Sequence, residues 1–367
     1  MRMETAAALL VVPAFVIAFA LTWVMIHVAP RLGFIDKPGG RKIHANPKPL
    51  GGGVAIFLGM ALPLMGGLAM VHIAPPAWID PAYVGGAKAN TPLALAVLAC
   101  MLVLHVMGLI DDRKALGPYL KLLVQLAVAA VLVIGFDLRA LHALGYVPSV
   151  ILSILWIAGI TNAFNFLDNM DGLSAGVAAV CTTAFLVTAL SIGQAFVGGM
   201  LALLLGSLLG FLAWNFPPAR IFMGDSGSLL IGFVLGVLTI RTTFLPENVS
   251  WAAGWYAVFA PIIVLALPLY DLIVVSLIRI SRGKSPFVGD TNHFSHRLVA
   301  RGMSRRTAVL CLYLITAATS VAAIILPQVQ STFAAMLIVG QTLLILGVVA
   351  LLEQHPLPSD LREDESK

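Results

Sequence analysis

Residues 91–110 read TPLALAVLACMLVLHVMGLI, and Asp111 and Asp112 follow them directly. The run contains no Asp, Glu, Lys or Arg. Its 20 residues are the length that an α-helix needs to cross the hydrocarbon core of a bilayer. Two carboxylates at the end of such a run are costly at membrane depth, so they mark a functional position by default. The stretch therefore predicts a membrane-spanning helix that delivers charge to one membrane surface.

The same pattern recurs in both directions along the chain. Eleven spans are predicted, at 6–29, 51–74, 91–110, 119–136, 148–167, 174–192, 195–214, 227–245, 254–278, 308–327 and 332–352. The division between 174–192 and 195–214 rests on Gly193 and Gln194 alone. Composition agrees: 60% of the 367 residues are hydrophobic and 11% are charged, where a soluble domain carries about 25% charged residues. The fold expected is an all-α polytopic transmembrane helix bundle. Residues 1–352 form one transmembrane domain in this reading, and 353–367 form a short cytoplasmic tail. The first apolar run, Ala6 to Ala29, is longer than the roughly 7–15 apolar residues of a cleavable signal, so it is expected to remain as a span.

Orientation follows from the basic residues. Of the 22 Lys and Arg, 18 fall on one set of loops and the tail, and Arg2, Lys88, Arg139 and Arg241 fall on the other. The first set is expected to be cytoplasmic, with the N-terminus outside. The net charge of +5 thus reflects loop charge in a membrane protein and does not indicate a nucleic-acid partner. Cys100, Cys181 and Cys311 lie in apolar stretches without metal-ligand spacing, and they read as small buried hydrophobes.

Four polar clusters fall on the cytoplasmic set of loops: Asp111-Asp112-Arg113, the segment 162–172, Met223-Gly224-Asp225-Ser226-Gly227, and the segment 285–297. In the second, Asn162, Asn165, Asp168 and Asn169 are spaced for one helical stripe. Each cluster alone also reads as helix caps or solvated charge; Asp225, for instance, could cap the eighth helix. All four on one face suit a site. Asp111, Asp112, Asp168, Asp171 and Asp225 offer carboxylates from three segments. Mg²⁺ takes oxygen ligands and is usually held by one or two carboxylates plus substrate phosphates. Lys37, Arg41, Lys42, Lys121, Arg282 and Arg297 could cradle phosphate oxygens. The set suggests phosphoryl transfer, where catalysis is mostly positioning and charge neutralisation. His293 and His296 lack a third zinc ligand, so a phosphate or nucleotide contact is expected of them, as of His44. Asp271, inside the ninth span, is expected to make a buried hydrogen bond.

These motifs resemble, over residues 30–300, the polyprenyl-phosphate N-acetylhexosamine-1-phosphate transferases. Asp36-Lys37-Pro38 through His44 is similar to the family's first cytoplasmic loop. Gly108 to Asp112 resembles its aspartate pair, with Lys121 and Gln125 behind it. Asn162 to Asp168 with Asp171-Gly172-Leu173 resembles its central motif, Gly224-Asp225-Ser226-Gly227 its metal-binding motif, and Ser285-Pro286-Phe287 with His293 to Arg297 its last loop. Ser295 stands where the family usually has a histidine, and Asn169 where it usually has glycine.

The resemblance implies an inner-membrane enzyme with its site on the cytoplasmic face. It would move a sugar-1-phosphate from a UDP-N-acetylhexosamine to polyprenyl phosphate and release UMP, with Mg²⁺ or Mn²⁺; a homodimer is left open. Asp111, Asp112 and Asp168 would be catalytic. Asp225 and Asn165, with Asp111 or Asp112, would hold the metal. Lys37, Arg41, His44, Lys121, Asn162, Asp171, Gly172, Arg282, His293, His296 and Arg297 would bind substrate. The first loop and the His-x-x-His form are closer to the branch using UDP-N-acetylglucosamine than to the peptidoglycan branch using UDP-N-acetylmuramoyl-pentapeptide. The rival from another class is a secondary transporter, whose polar residues would lie near the bilayer midplane.

Overall fold

The computed structural model describes residues 3–36, 47–242, 255–286, 293–329 and 331–354. Lys37, Arg41, Lys42 and His44 lie outside the described residues. The chain folds as a helical bundle. Its long helices are α1 (Met3–Val28), α2 (Gly52–Ile73), α3 (Pro81–Arg113), α4 (Pro118–Gly135), α5 (Tyr146–Leu167), α6 (Leu173–Ser191), α7 (Ala195–Asn215) and α8 (Asp225–Arg241). They are followed by α9 (Ala260–Val264), α10 (Ala266–Ser281), the short α11 (Phe294–Val299), α12 (Arg305–Ile325) and α13 (Thr332–Gln354). A two-residue ribbon, β1 (Ile35–Asp36) against β2 (Lys48–Pro49), closes the base of the first loop, and Leu50 bridges on to Phe222.

Among the described residues, nine helices are long and apolar enough to span, or ten if the bent pair around Leu265 counts as one span. The expected eleven are reduced at two places. The span predicted at 227–245 is α8, which has 17 residues and so a length of about 25 Å, at the lower limit of what crosses a bilayer. The span predicted at 254–278 bends by 71° between Val264 and Ala266. Pro268 supplies the cause: it has no N–H to donate to Val264, one turn back. At the third span the helix starts earlier than expected. Asp80 caps it by accepting from Ala82 N at 2.8 Å, Pro81 occupies the first helical position, and the helix runs on through Pro92. The expected break at Gly193 is present, with φ of 79°.

Lipid supplies no hydrophobic drive between helices, so small residues decide which helices approach closely. Gly206 and Gly210 of α7 lie against Ala14 and Ala18 of α1; a Cβ on Gly206 would stand 2.3 Å from Val11 O. Gly232 and Gly236 of α8 do the same against α5, where a Cβ on Gly232 would stand 2.6 Å from Ile160 O. At the first turn of α8, a Cβ on Gly108 of α3 would lie 2.4 Å from Ser226 N, and one on Gly53 of α2 would lie 2.4 Å from Gly227 N. These contacts draw α2, α3, α5 and α8 together at one end of the bundle, the end that carries the polar clusters.

Candidate active site

The first turn of α8 is capped from another helix. Gly224 holds φ of 76° and contributes no side chain. Asp112, at the end of α3, accepts from Asp225 N at 2.7 Å and from Ser226 N at 3.3 Å. A carboxylate at a helix N-terminus satisfies orphan N–H groups and meets the positive end of the helix dipole. The capping role open to Asp225 thus belongs to Asp112, and Asp225 turns its side chain elsewhere. Asp225 Oδ2 accepts from Lys121 Nζ at 2.8 Å, and Oδ1 accepts from Asn165 Nδ2 at 2.9 Å. Lys121 also donates to Asp111 Oδ2 at 3.0 Å, while Asp111 Oδ1 accepts from Leu116 N at 2.6 Å. One ammonium therefore joins carboxylates from α3 and α8.

The central motif is helical only to Leu167, so the expected stripe is cut. Asn162 donates to Gln125 Oε1 at 2.5 Å and Asn165 faces α8, whereas Asp168 and Asn169 sit in the turn that follows. Asp171 Oδ2 in that turn accepts from Ala219 N at 2.9 Å, and Gly172 N donates to Asn215 Oδ1 at 2.9 Å. Asp168 is half-buried. Burial raises its carboxyl well above the ordinary value, and the charges of Asp225, Asp112 and Asp171 raise it further against a hydrogen bond from the Gly224 backbone.

These groups surround a cleft of about 400 Å³. Of the residues expected in the site, Asp111, Asp112, Asp168, Asp171, Asp225 and His296 line it. Lys121, Asn165 and Gly172 are not among the lining residues but hold Asp111, Asp225 and Asn215, which are, whereas Asn162 bonds to Gln125 and to Ala158 O, away from the lining. Arg282 is exposed at the end of α10, and Arg297 is half-buried beside His296. Asp36 and Leu50, at the two feet of the first loop, also line the cleft.

His293 is placed differently from His296. It is buried, with Nδ1 2.8 Å from Asp271 Oδ2 and Nε2 3.4 Å from an Arg279 nitrogen. Asp271 Oδ1 also accepts from Phe294 N at 2.9 Å, so the buried hydrogen bond expected of Asp271 is present and anchors α11. Arg279, itself buried, lies over the Phe166 ring at 4.8 Å. In the sequence Arg279 and Arg305 count only as loop charge and Asn215 is not singled out, although Asn215 and Arg305 line the cleft. A basic residue in a basic loop gives no signal of where it points.

The donor set fits a hard cation. Asp111 and Asp225 already share one positive centre beside the cleft, and oxygen ligands of this kind suit Mg²⁺ or Mn²⁺. Among the described residues, no three His, Cys, Asp or Glu side chains form a metal cage by themselves.

The fold is thus a bundle of helices long and apolar enough to span a membrane, with a carboxylate-lined cleft at one end. Residues 94–243 match the model of glycosyl transferase family 4. A probable undecaprenyl-phosphate N-acetylglucosaminyl 1-phosphate transferase of Bacillus subtilis is 31% identical over 86% of this chain and 85% of its own length. A decaprenyl-phosphate N-acetylglucosaminephosphotransferase of Mycobacterium tuberculosis is 33% identical over 84% of this chain and 79% of its own. An undecaprenyl-phosphate alpha-N-acetylglucosaminyl 1-phosphate transferase of Escherichia coli is 27% identical over 79% of this chain and 76% of its own. The chain belongs to glycosyl transferase family 4, among the polyprenyl-phosphate N-acetylhexosamine-1-phosphate transferases.

Proposed function

We propose that this chain transfers N-acetylglucosamine-1-phosphate from UDP-N-acetylglucosamine to a polyprenyl phosphate and releases UMP. The reaction would be the first membrane step in assembly of a cell-surface polysaccharide, at the cytoplasmic face of the inner membrane. The observation that carries the reading is the convergence of Asp111, Asp112, Asp168, Asp171 and Asp225 on one cleft at the bundle end. A transporter places such residues near the bilayer midplane on repeat-related helices.

In this reading an oxygen of the lipid phosphate attacks the β-phosphorus of the donor. The bond from that phosphorus to the bridging oxygen breaks, and UMP leaves. Asp225, oriented by Asn165, would hold Mg²⁺ together with Asp111. When bound, the ion would neutralise charge on the diphosphate. Asp112 keeps Asp225 in place through the first turn of α8. Asp111 faces the incoming lipid phosphate and orients it. Asp168 and Asp171 position the nucleotide, and His296 contacts the sugar-phosphate region.

The test is UMP release by purified protein given undecaprenyl phosphate, UDP-N-acetylglucosamine and Mg²⁺. Release should stop with excess chelator and return with Mg²⁺ or Mn²⁺. Full activity in chelator would remove the metal from the mechanism. Lack of release with any UDP-N-acetylhexosamine would remove the reaction.

A further inference from the structure

The lining of the cleft is strongly acidic, yet both substrates of the proposed reaction are phosphate anions. Among the described residues that line it, Arg305 is the one Lys or Arg. Arg305 and Arg306 stand side by side in the first turn of α12, after Ser304, whose Oγ accepts from Thr307 N at 3.1 Å and caps the helix. Positive charge is disfavoured at a helix N-terminus, so neither arginine serves the stability of α12. The charge bias of this membrane face accounts for a basic residue here, and Arg306 fits that account, with its guanidinium over the Phe216 ring at 5.3 Å. Arg305 instead is exposed and lines the cleft together with the carboxylates.

Its position is also held from both sides. Ahead of it, Ser295 Oγ donates to Asn169 Oδ1 at 2.5 Å and docks α11 on the turn that carries Asp168 and Asp171. Beyond it, Tyr313 of α12 donates its hydroxyl to Gly172 O at 2.5 Å, at the end of the same turn. The elements before and after Arg305 are thus each tied to the turn that carries Asp168 and Asp171.

We propose that Arg305 binds a phosphate oxygen of a substrate in this cleft, through the forked guanidinium geometry that suits phosphate. The proposal rests on the transferase reading. The phosphate belongs either to the UDP-sugar or to the lipid acceptor, and kinetics separate the two.

Arg305→Gln, Arg305→Lys and Arg306→Gln are compared with the wild type, each checked for an unchanged melting temperature. The measurements are KM and kcat for each substrate, and equilibrium binding of UDP and of undecaprenyl phosphate in Mg²⁺. Loss of a charge-assisted contact should raise one KM about tenfold in Arg305→Gln, with a smaller change in kcat. Arg305→Lys should fall between, and Arg306→Gln should stay within about twofold of wild type. A rise in the UDP-N-acetylglucosamine KM with weaker UDP binding assigns the contact to the donor; a rise confined to undecaprenyl phosphate assigns it to the acceptor. Values for Arg305→Gln within about twofold of wild type for both substrates, or an equal shift in Arg306→Gln, would overturn the proposal. A wild type without turnover would strike the transferase reading, and unchanged binding of both probes in Arg305→Gln would still decide against Arg305.

Discussion

Asp112 gives both carboxylate oxygens to the backbone of α8, while Asp111 and Asp225 share Lys121. Substitution by Asn should therefore separate three neighbouring carboxylates. Asp112→Asn sets an amide N–H₂ against a backbone donor, and should cost about 0.5–2 kcal/mol of stability as well as turnover. Asp225→Asn and Asp111→Asn keep shape and remove charge where phosphate charge is balanced. They should lower turnover by roughly 10²–10³ with little change in melting temperature. Melting and UMP release on the same preparations check this; a large stability loss with near-normal turnover would make Asp225 structural. Asp168 gives a pH signature. Its carboxyl is raised in the fold, so between the ordinary value of 3.8 and the raised value the folded chain binds more protons than the unfolded one. In metal-free protein its contribution is fully present below that window and is lost as pH rises through it. Asp168→Asn should raise the melting temperature above the window and leave it nearly unchanged below. Equal shifts at all pH values would contradict the assignment.

At the scale of elements, the site exists because glycines let helices touch. Gly108→Ala puts a methyl 2.4 Å from the Ser226 backbone and must push α8 away from Asp111 and Asp112. It should lower both stability and turnover. Gly66→Ala in α2 meets open space, and should stabilise by about 0.5–1 kcal/mol without touching activity. Melting and turnover of the two variants check the contrast. Gly108 was legible as part of a motif beside Asp111-Asp112, but its packing partner was not, because apolar length identifies helices and leaves their neighbours undetermined. The same limit explains α8 and the bend at Leu265. An apolar run gives a span by composition, whereas the number of residues that keep helical hydrogen bonds depends on local features such as Pro268. His293 shows the limit at the site. Its spacing from His296 suggested a shared role, but Asp271, 22 residues earlier, draws it into the bundle.

At the scale of the molecule, the clusters in the described residues meet at one end of the bundle, as the loop charge pattern implied, because each lies at the same end of an alternating set of helices. Single-cysteine labelling tests which side that is. Lys114→Cys, exposed between α3 and α4, should react with an impermeant reagent only after the cells are opened, and Lys88→Cys should react in intact cells. The opposite pattern would reverse the topology and put the cleft away from cytoplasmic UDP-sugars. The central claim is that the cleft transfers a sugar together with its phosphate. UDP-N-acetylglucosamine labelled in its β-phosphate, supplied with undecaprenyl phosphate and Mg²⁺, tests it most directly. The account predicts that the label passes into the lipid fraction while unlabelled UMP is released; label retained in a water-soluble nucleotide, with the sugar alone moving to lipid, would contradict it.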